Sequence, residues 1–515
     1  MQVQREPDAS ASLRAAVTAW QVLFALLLLT RALTAAIDYD EDQYVAAGVM
    51  ARQLMLYRDF IYLQSPADPL LLAGLDGLSG GWYLLTARLL SGVLAVCVFG
   101  LTIALVRRSG AGRGLATLLA SLALLSPFLD RAIATARNDI LPLTLFLAGL
   151  LLYLDAPKRG RAWLAAAGLC AGLAVEAKIS YVFAPAMLLL HAGWTGGDRL
   201  SRLVPLAAGI AVAALPGLYY LAATPDNFLF DLLGFHMRGP AAWYQRQGQP
   251  ELLDPGHRLA ALGVLLLWSA NASLTLLVAG LAVLRRVRRA GFPAQAGLLL
   301  LLLVPAALVG YQPSPSWPMY YAPLAPLLAA LAATLAAGLP VAGGVKRFGP
   351  ALFAVALIPA LFPLWHRAAD LPGLLQPSAW PGMVVHRQAL AMRDALAEAG
   401  VTGEVATLFP IHALDAVPVQ PEFASGPFFF RTSDLYPDDR IRQLHGAGAA
   451  SLDRLFAERP PAALLGGLAK GQWQAEMDAS LQDYAERNGY GAVALDGPGL
   501  WPEGSWLYIR VPAGR

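Results

Sequence analysis

Long apolar runs separated by short Arg-bearing segments fill the chain up to about His366. A run of roughly 17 to 25 apolar residues spans a bilayer as a helix. On that criterion about eleven runs follow one another, starting near Val17, Trp82, Leu115, Ile140, Ala162, Tyr181, Leu203, Leu259, Ala294, Tyr320 and Ala351. The first, around Val17 to Ala36, ends in acidic residues without a small-residue cleavage pattern and reads as a retained signal-anchor helix. Basic residues set the orientation. Arg107, Arg108 and Arg113; Lys158, Arg159 and Arg161; Arg199 and Arg202; Arg285 to Arg289; and Lys346 with Arg347 all fall in alternate loops. An excess of Lys and Arg marks cytoplasmic loops, and Arg5 and Arg14 place the N-terminus on the same side. The expected topology is N-in, C-out.

Three segments then lie outside: Asp38 to Gly81, Thr224 to Arg258, and everything after about His366. In the first, Tyr44, Val45, Val49, Leu54 and Leu56 sit among small and polar residues, as in a helix lying along the interface. The second, with Pro240, Trp243, Tyr244 and Pro250, reads as an irregular interfacial loop. From about Pro381 the patterning becomes that of a soluble domain. A helix is predicted around His386 to Ala399 and another around Gln472 to Arg487; strands are predicted at Glu404 to Phe409, Ala462 to Leu465, Ala492 to Leu495 and Trp506 to Val511. The fold class expected is an all-α polytopic membrane domain over residues 1–366, with a catalytic first outer loop at 38–81, followed by a small extracytoplasmic α/β domain over 367–515.

Composition agrees: of 515 residues 57% are hydrophobic and 14% charged, with a mean hydropathy of +0.52, where soluble domains carry roughly a quarter charged residues. The net charge of +3 arises from Arg clusters between apolar runs, which excludes a nucleic-acid-binding face. Cys97 and Cys170 both fall inside predicted membrane helices, so neither a disulfide framework nor a zinc site is read from them. Arg in place of Lys, with abundant Ala, Leu and Gly, has the codon bias of a GC-rich bacterial genome, which points to the inner (plasma) membrane.

Chemistry concentrates on the outer face. Asp38, Asp40, Glu41 and Asp42 place four carboxylates in five residues. Crowded like charges raise one another's pKa and leave one group able to act as a base; equally, acidic residues cap the N-terminus of a following helix. Arg137-Asn138-Asp139 opens the fourth run, and Glu176 with Lys178 forms an ion-capable pair where two runs meet. Ionisable groups at membrane depth are costly and mark functional sites, although structural ion pairs and snorkelling account for many. Asp38, Asp40, Asp42 and Asp139 leave room for a divalent cation without defining a ligand set, and no other cofactor is indicated. Asn271-Ala272-Ser273 fits the glycosylation sequon but falls inside the eighth run.

Taken in order, Asp40-Glu41 with Tyr44, Tyr57-Arg58-Asp59-Phe60 and a Pro-rich turn, Arg137-x-Asp139, and Gly172-Leu173-Ala174 leading to Lys178 resemble the C-type membrane glycosyltransferases, related to protein O-mannosyltransferases and aminoarabinose transferases. Met319-Tyr320-Tyr321-Ala322-Pro323-Leu324 adds to the resemblance. The chain departs from the family where Ala67 and Asp68 intervene between Pro66 and Pro69-Leu70. The resemblance implies inverting transfer of a sugar from a polyprenyl-phosphate donor to a lipid, glycan or protein hydroxyl. Asp40 would be the catalytic carboxylate, with Glu41 beside it and Asp139 the second acidic position. Arg137 and Lys178 would bind the donor phosphate; Arg58, Asp68, Tyr320 and Tyr321 complete the expected substrate-binding set. A transporter or flippase of a lipid-linked substrate is the main rival, but such proteins commonly carry two related halves, which the sequence lacks. A membrane anchor for the C-terminal domain is the third reading.

Overall fold

The structure is a computed structural model that describes residues 9–195, 197–339, 354, 357–468, 472–495 and 499–511. Among these, six helices are long and apolar enough to cross a membrane: Ala11–Thr34, Tyr83–Arg107, Ile140–Arg159, Ser269–Val287, Ala294–Tyr311 and Pro318–Ala336. Two bent pairs join them, Arg113–Leu124 with Pro127–Ala134 at 76° and Arg199–Ala213 with Leu215–Ala223 at 47°. Helices Arg161–Ala177 and Ile179–Trp194 are shorter. The run expected near Ala351, and Lys346 and Arg347 before it, lie outside the described residues.

The breaks have local causes. At Ser126 the hydroxyl accepts the Phe128 N–H at 3.0 Å and Pro127 occupies the first helical position, so a new helix starts in a new direction. The same hydroxyl donates to Asn271 Oδ1 at 2.6 Å in a buried contact, which leaves the sequon asparagine no route to solvent. The run expected from Leu259 is two helices, Pro255–Leu266 and Ser269–Val287, hinged at Ser269 with φ of 55°.

Helices Arg161–Ala177 and Arg199–Ala213 approach at backbone contact. A Cβ on Gly168 would stand 2.0 Å from the Leu206 carbonyl oxygen, and one on Gly209 would stand 2.0 Å from that of Ala165. Small residues permit this approach in a bilayer, where packing replaces the hydrophobic effect between helices. The contact fixes the C-terminal end of helix Arg161–Ala177, and Lys178 follows directly.

The C-terminal region folds largely as its pattern predicts. Strands β1 (Val405–Thr407), β2 (Ala463–Gly466), β3 (Gly491–Val493) and β4 (Trp506–Ile509) form one sheet in the order β1-β2-β4-β3. β1 and β2 run parallel, while β4 lies antiparallel to β2 and β3. Helices Pro381–Glu398 and Gln472–Arg487 accompany it. Two expectations are corrected. Thr224 to Arg258 is mostly helical (Pro225–Leu229, Phe230–Gly234, Phe235–Arg246), its rings packed inward rather than spread over an interface. The aromatic run Phe428-Phe429-Phe430, whose β-prone rings read from the sequence as a buried strand or a sugar-stacking platform, is the short helix Pro427–Phe430 and buries Phe429 and Phe430.

One hydrophobic core joins the first outer loop to this region: Tyr44, Tyr57 and Tyr62 are buried together with Met392, Val405, Leu464 and Ile509. Polar contacts fasten the same seam. Asp415 accepts the Tyr83 N–H at 3.1 Å and pairs with His386 at 2.9 Å; His386 stacks on Trp82 with ring centroids 3.5 Å apart.

Candidate active site

Helix Asp40–Met50 begins six residues after the end of the first membrane helix, Ala9–Thr34, with Asp40, Glu41 and Asp42 in its first turn. Carboxylates there face the positive end of the helix dipole, although no side chain caps the helix by a hydrogen bond. Successive residues nevertheless point in different directions, and the three do different things.

Glu41 is buried and committed. Its oxygens take Arg88 Nε at 2.8 Å and Nη2 at 2.6 Å, the Ala136 N–H at 2.7 Å and the Asp38 N–H at 3.0 Å. Arg88 also donates to the carbonyls of Ala35 and Ala36. Glu41 thus ties the outer loop, the second membrane helix and the Arg137 segment together. Asp42, also buried, accepts the Ile411 N–H of the C-terminal region at 3.2 Å. Burial raises its pKa well above the usual carboxylate range, with Glu41 and Asp38 adding to the effect and the Ile411 N–H opposing it.

Asp40 faces the opposite way, to Arg137. The Arg137 guanidinium contacts Asp40, reaches Asp38 at 3.5 Å and donates from Nε to Asp139 Oδ2 at 3.0 Å. Lys178 Nζ holds the other Asp139 oxygen and sits 5.1 Å from the Tyr320 ring centroid. Arg131 takes the second Asp38 oxygen at 2.9 Å. Asp38, Asp40, Arg137, Asp139 and Lys178 therefore form one continuous network of alternating charge, with Arg137, Asp139 and Lys178 buried and Asp38 and Asp40 half-buried. Asn138 braces it, donating to Gln64 Oε1 at 3.2 Å and to the Ala177 carbonyl at 3.3 Å.

Asp68 is buried within electrostatic reach of this network. Burial, reinforced by Asp139 and opposed by Lys178, pushes its carboxyl up to about 7. The residue that interrupts the proline motif thus places a half-ionised carboxyl beside Lys178 at neutral pH.

The remaining expectations are sorted by position. Arg58 lies outside: its side chain is 60% exposed and its guanidinium is spent on neighbouring Asp59 at 2.8 Å. Tyr321 points into the bundle, its hydroxyl 2.6 Å from Ser316 Oγ and its ring against Phe128. Glu176 is not the partner of Lys178; its carboxylate turns to Gly217, where an added Cβ would stand 2.6 Å from Oε1. Among the described residues no three His, Cys, Asp or Glu side chains converge as metal ligands, and Asp38, Asp40 and Asp139 are each engaged by a cationic side chain.

Two site residues escape a sequence reading based on the outer loops. Arg88 carried a signal, a charge inside an otherwise apolar helix. Arg431 carried none, being one of many Arg residues in the C-terminal region. It lies half-buried between the rings of Trp243 (4.9 Å) and Phe428 (4.7 Å), its Nε has no hydrogen-bond partner among the described residues, and its charge is felt at Tyr320. Burial lowers its pKa to about 10, so it stays cationic at neutral pH.

The model of Glycosyltransferase family 87 matches residues 62–310, just under half of the chain and a segment that holds Asp68, Arg137, Asp139 and Lys178 but begins after Asp40. No curated protein matches the sequence. Among solved structures, ArnT from Cupriavidus metallidurans bound to undecaprenyl phosphate aligns with a TM-score of 0.57 at 14% identity, covering 98% of this chain and 99% of that one. The apo state of the same ArnT gives 0.54 at 15% identity, with 96% and 98% covered. The oligosaccharyltransferase from Archaeoglobus fulgidus gives 0.49 at 14% identity, covering 95% of this chain and 75% of that one. The chain has the fold of the C-type membrane glycosyltransferases, as its ordered motifs imply.

Proposed function

We propose that this multi-pass membrane protein, with its C-type fold and its family 87 segment, transfers a sugar with inversion from a polyprenyl-phosphate donor to an acceptor hydroxyl. The observation that carries the reading is the Asp40–Arg137–Asp139–Lys178 network, which holds two carboxylates and two cations in one place. The ArnT structure with undecaprenyl phosphate shows that one protein of this fold takes such a carrier. The reaction runs on the extracytoplasmic face of a bacterial inner membrane, with about eleven spans, the N-terminus inside and residues 367–515 outside, by the distribution of Lys and Arg.

The chemistry follows from charge exchange. An arriving phosphate offers Arg137 and Lys178 a better-matched anion than the carboxylates they now hold, Arg as a planar fork and Lys as a point charge. As Arg137 turns to the phosphate it releases Asp40, which becomes free to take the acceptor proton. The acceptor oxygen then bonds to the anomeric carbon from the face opposite the phosphate, and the carbon–oxygen bond to the phosphate breaks. The polyprenyl phosphate leaves as an anion on Arg137 and Lys178. Cations already in place stabilise that charge as it develops. Asp139 keeps both cations aimed, Glu41 positions the loop through Arg88, and Tyr320 lies against Lys178. Protonated Asp68 donates a hydrogen bond toward the phosphate, and Arg431 adds a third cation from the C-terminal region. Reconstitution of the purified protein with polyprenyl-phosphate sugars, followed by mass spectrometry, tests the reading. Donor consumption with a glycosylated product supports it; movement of intact lipid-sugar between leaflets without bond cleavage points to a flippase.

A further inference from the structure

The second membrane helix begins without a cap of its own. Trp82 stands at the N-cap of Tyr83–Arg107 and supplies no side-chain hydrogen bond, so the first N–H groups of the helix need partners from elsewhere. One comes from the C-terminal region: Asp415 Oδ1 accepts the Tyr83 N–H at 3.1 Å. Its other oxygen meets His386 Nδ1 at 2.9 Å, and the His386 ring stacks on Trp82 with centroids 3.5 Å apart and planes 14° from parallel. Burial pushes the Asp415 carboxyl up to about 6, opposed by the Tyr83 N–H and by His386, so at neutral pH it is mainly an anion at the positive end of the helix dipole. Helix Pro381–Glu398, which carries His386, crosses the same turn at backbone distance: a Cβ on Gly382 would stand 2.8 Å from the Leu85 Cα.

Asp415 also ends the short helix Ile411–Leu414, whose other end is held by the outer loop, because Asp42 accepts the Ile411 N–H at 3.2 Å. The contacts close a ring. Helix Asp40–Met50 reaches helix Tyr83–Arg107 directly through Glu41 and Arg88, and a second time through Asp42, Ile411–Leu414 and Asp415. Tyr83 and Arg88 lie about 7.5 Å apart along their helix at 1.5 Å per residue, so the two attachments are well separated. A single ion pair leaves a helix free to pivot about it; a second attachment at a distance removes the pivot. Asp40 sits beside Glu41 in the turn that would swing, and its contact with Arg137 depends on the angle at which that turn is held.

We propose that Asp415 is a positioning residue for the transfer: with His386 it locks the C-terminal region onto the second membrane helix, and the Ile411–Leu414 strap then fixes the direction of Asp40. The proposal rests on the transfer reading for what is positioned, and on the ring of contacts alone for the coupling. Lys178 is held by Asp139, outside the ring, so loss of Asp415 should cost rate rather than donor binding.

The test uses full-length protein in neutral detergent with a polyprenyl-phosphate sugar, measuring kcat, donor affinity by native mass spectrometry, and amide hydrogen exchange. In Asp415→Ala kcat is expected to fall about tenfold, within the range that a displacement near 1 Å produces, while donor affinity stays within about twofold. Exchange should rise together in the first turns of Asp40–Met50 and Tyr83–Arg107. Asp415→Asn should restore most of both, since its amide oxygen accepts the Tyr83 N–H and its NH₂ donates to neutral His386. If Asp415→Ala yields no folded protein, His386→Phe, which keeps a ring on Trp82 and drops the hydrogen bond, should show the same split in smaller measure. Parent-like kcat in folded Asp415→Ala or His386→Phe overturns the proposal, as does equal loss of kcat and donor affinity, or no rescue by Asp415→Asn. Unchanged exchange over Asp40–Met50 in these variants overturns the ring. Failure of the transfer reading looks different: the parent itself leaves sugar on the donor while Asp415→Ala still raises exchange in both helices, which removes the positioning role and leaves the coupling.

Discussion

Arg88 closes a two-point ion pair on Glu41, Nε to one carboxylate oxygen at 2.8 Å and Nη2 to the other at 2.6 Å, with both side chains buried. This pair, rather than the exposed part of the acidic run, sets where the outer loop sits. Breaking a buried pair by removing one partner leaves an uncompensated charge and costs about 3 to 5 kcal/mol. Glu41→Gln and Arg88→Met should each lower thermal stability and membrane yield sharply. The double variant should be less damaged than the two losses added together; strict additivity in thermal unfolding would rule out direct coupling.

Asp40 is more exposed than Glu41, and its contacts among the described residues are with Arg137 and, through its backbone N–H, with Asp38. Asp40→Asn should therefore fold. General-base help is typically worth 10² to 10⁴ in rate, about 3 to 5 kcal/mol, so turnover should fall by that factor while donor affinity changes a few-fold at most. A turnover near the parent's, measured with chemistry rate-limiting, would move the base elsewhere.

Lys178→Ala should fail in a different way. A cation that grips phosphate in ground and transition states contributes to binding as well as rate, by about 1.5 to 3 kcal/mol for a charged hydrogen bond. Donor affinity should drop roughly ten- to a hundredfold. Lys178→Arg should recover part of it, since Asp139 would keep a cationic partner. Unchanged donor binding in Lys178→Ala would place the phosphate outside this network.

Asp68 gives the site a pH dependence. Its carboxyl titrates near 3.8 in an unfolded chain and at about 7 in the fold, so between those values the folded protein holds the extra proton. The sign follows: this group's contribution to folding stability declines as pH rises from about 4 to about 7 and is level above. Above pH 7 the ionised carboxylate also stands where the donor phosphate needs positive surroundings. Donor affinity should fall on the order of tenfold from pH 6 to pH 8, about 1.4 kcal/mol. Asp68→Asn should flatten that profile; a profile unchanged in Asp68→Asn would assign the titration to another group.

Arg431→Gln tests the reach of the C-terminal region. The side chain is clamped by Trp243 and Phe428 and faces Tyr320, so its loss should weaken donor binding several-fold with little effect on folding. Identical donor titrations for the variant and the parent would confine the site to the membrane domain.

The sequence is most informative where periodicity and chemistry coincide. Short apolar runs at Glu404 to Phe409 and Ala462 to Leu465 find β1 and β2 to within a residue or two, because every position of both strands is buried in a core. Arg137, Asp139 and Lys178 stand out because charge is expensive beside apolar helices. Other features depend on tertiary context. Asp40 and Glu41 are adjacent and alike, yet helical geometry sends one to Arg137 and the other to Arg88, a division no spacing rule reveals. Arg58 shares a motif with the loop but turns to Asp59, since the nearest carboxylate wins where water competes for the rest. Pro427–Phe430 has strand-like residues but follows Gly426 at φ 55° and starts with proline, a combination that opens a helical turn.

The core shared by Tyr44, Tyr62, Val405 and Leu464, with the Asp42 contact to Ile411, has a consequence for biogenesis. The membrane helices emerge from the ribosome first, and insertion leaves the outer loop with an uncovered aromatic face and a buried-to-be Asp42. Cover arrives only with residues beyond Pro381. A chain halted near His366 would reach the bilayer with its charged network assembled but its roof missing, a state that proteases can recognise. The outer loop's fold therefore waits on the last quarter of the polypeptide.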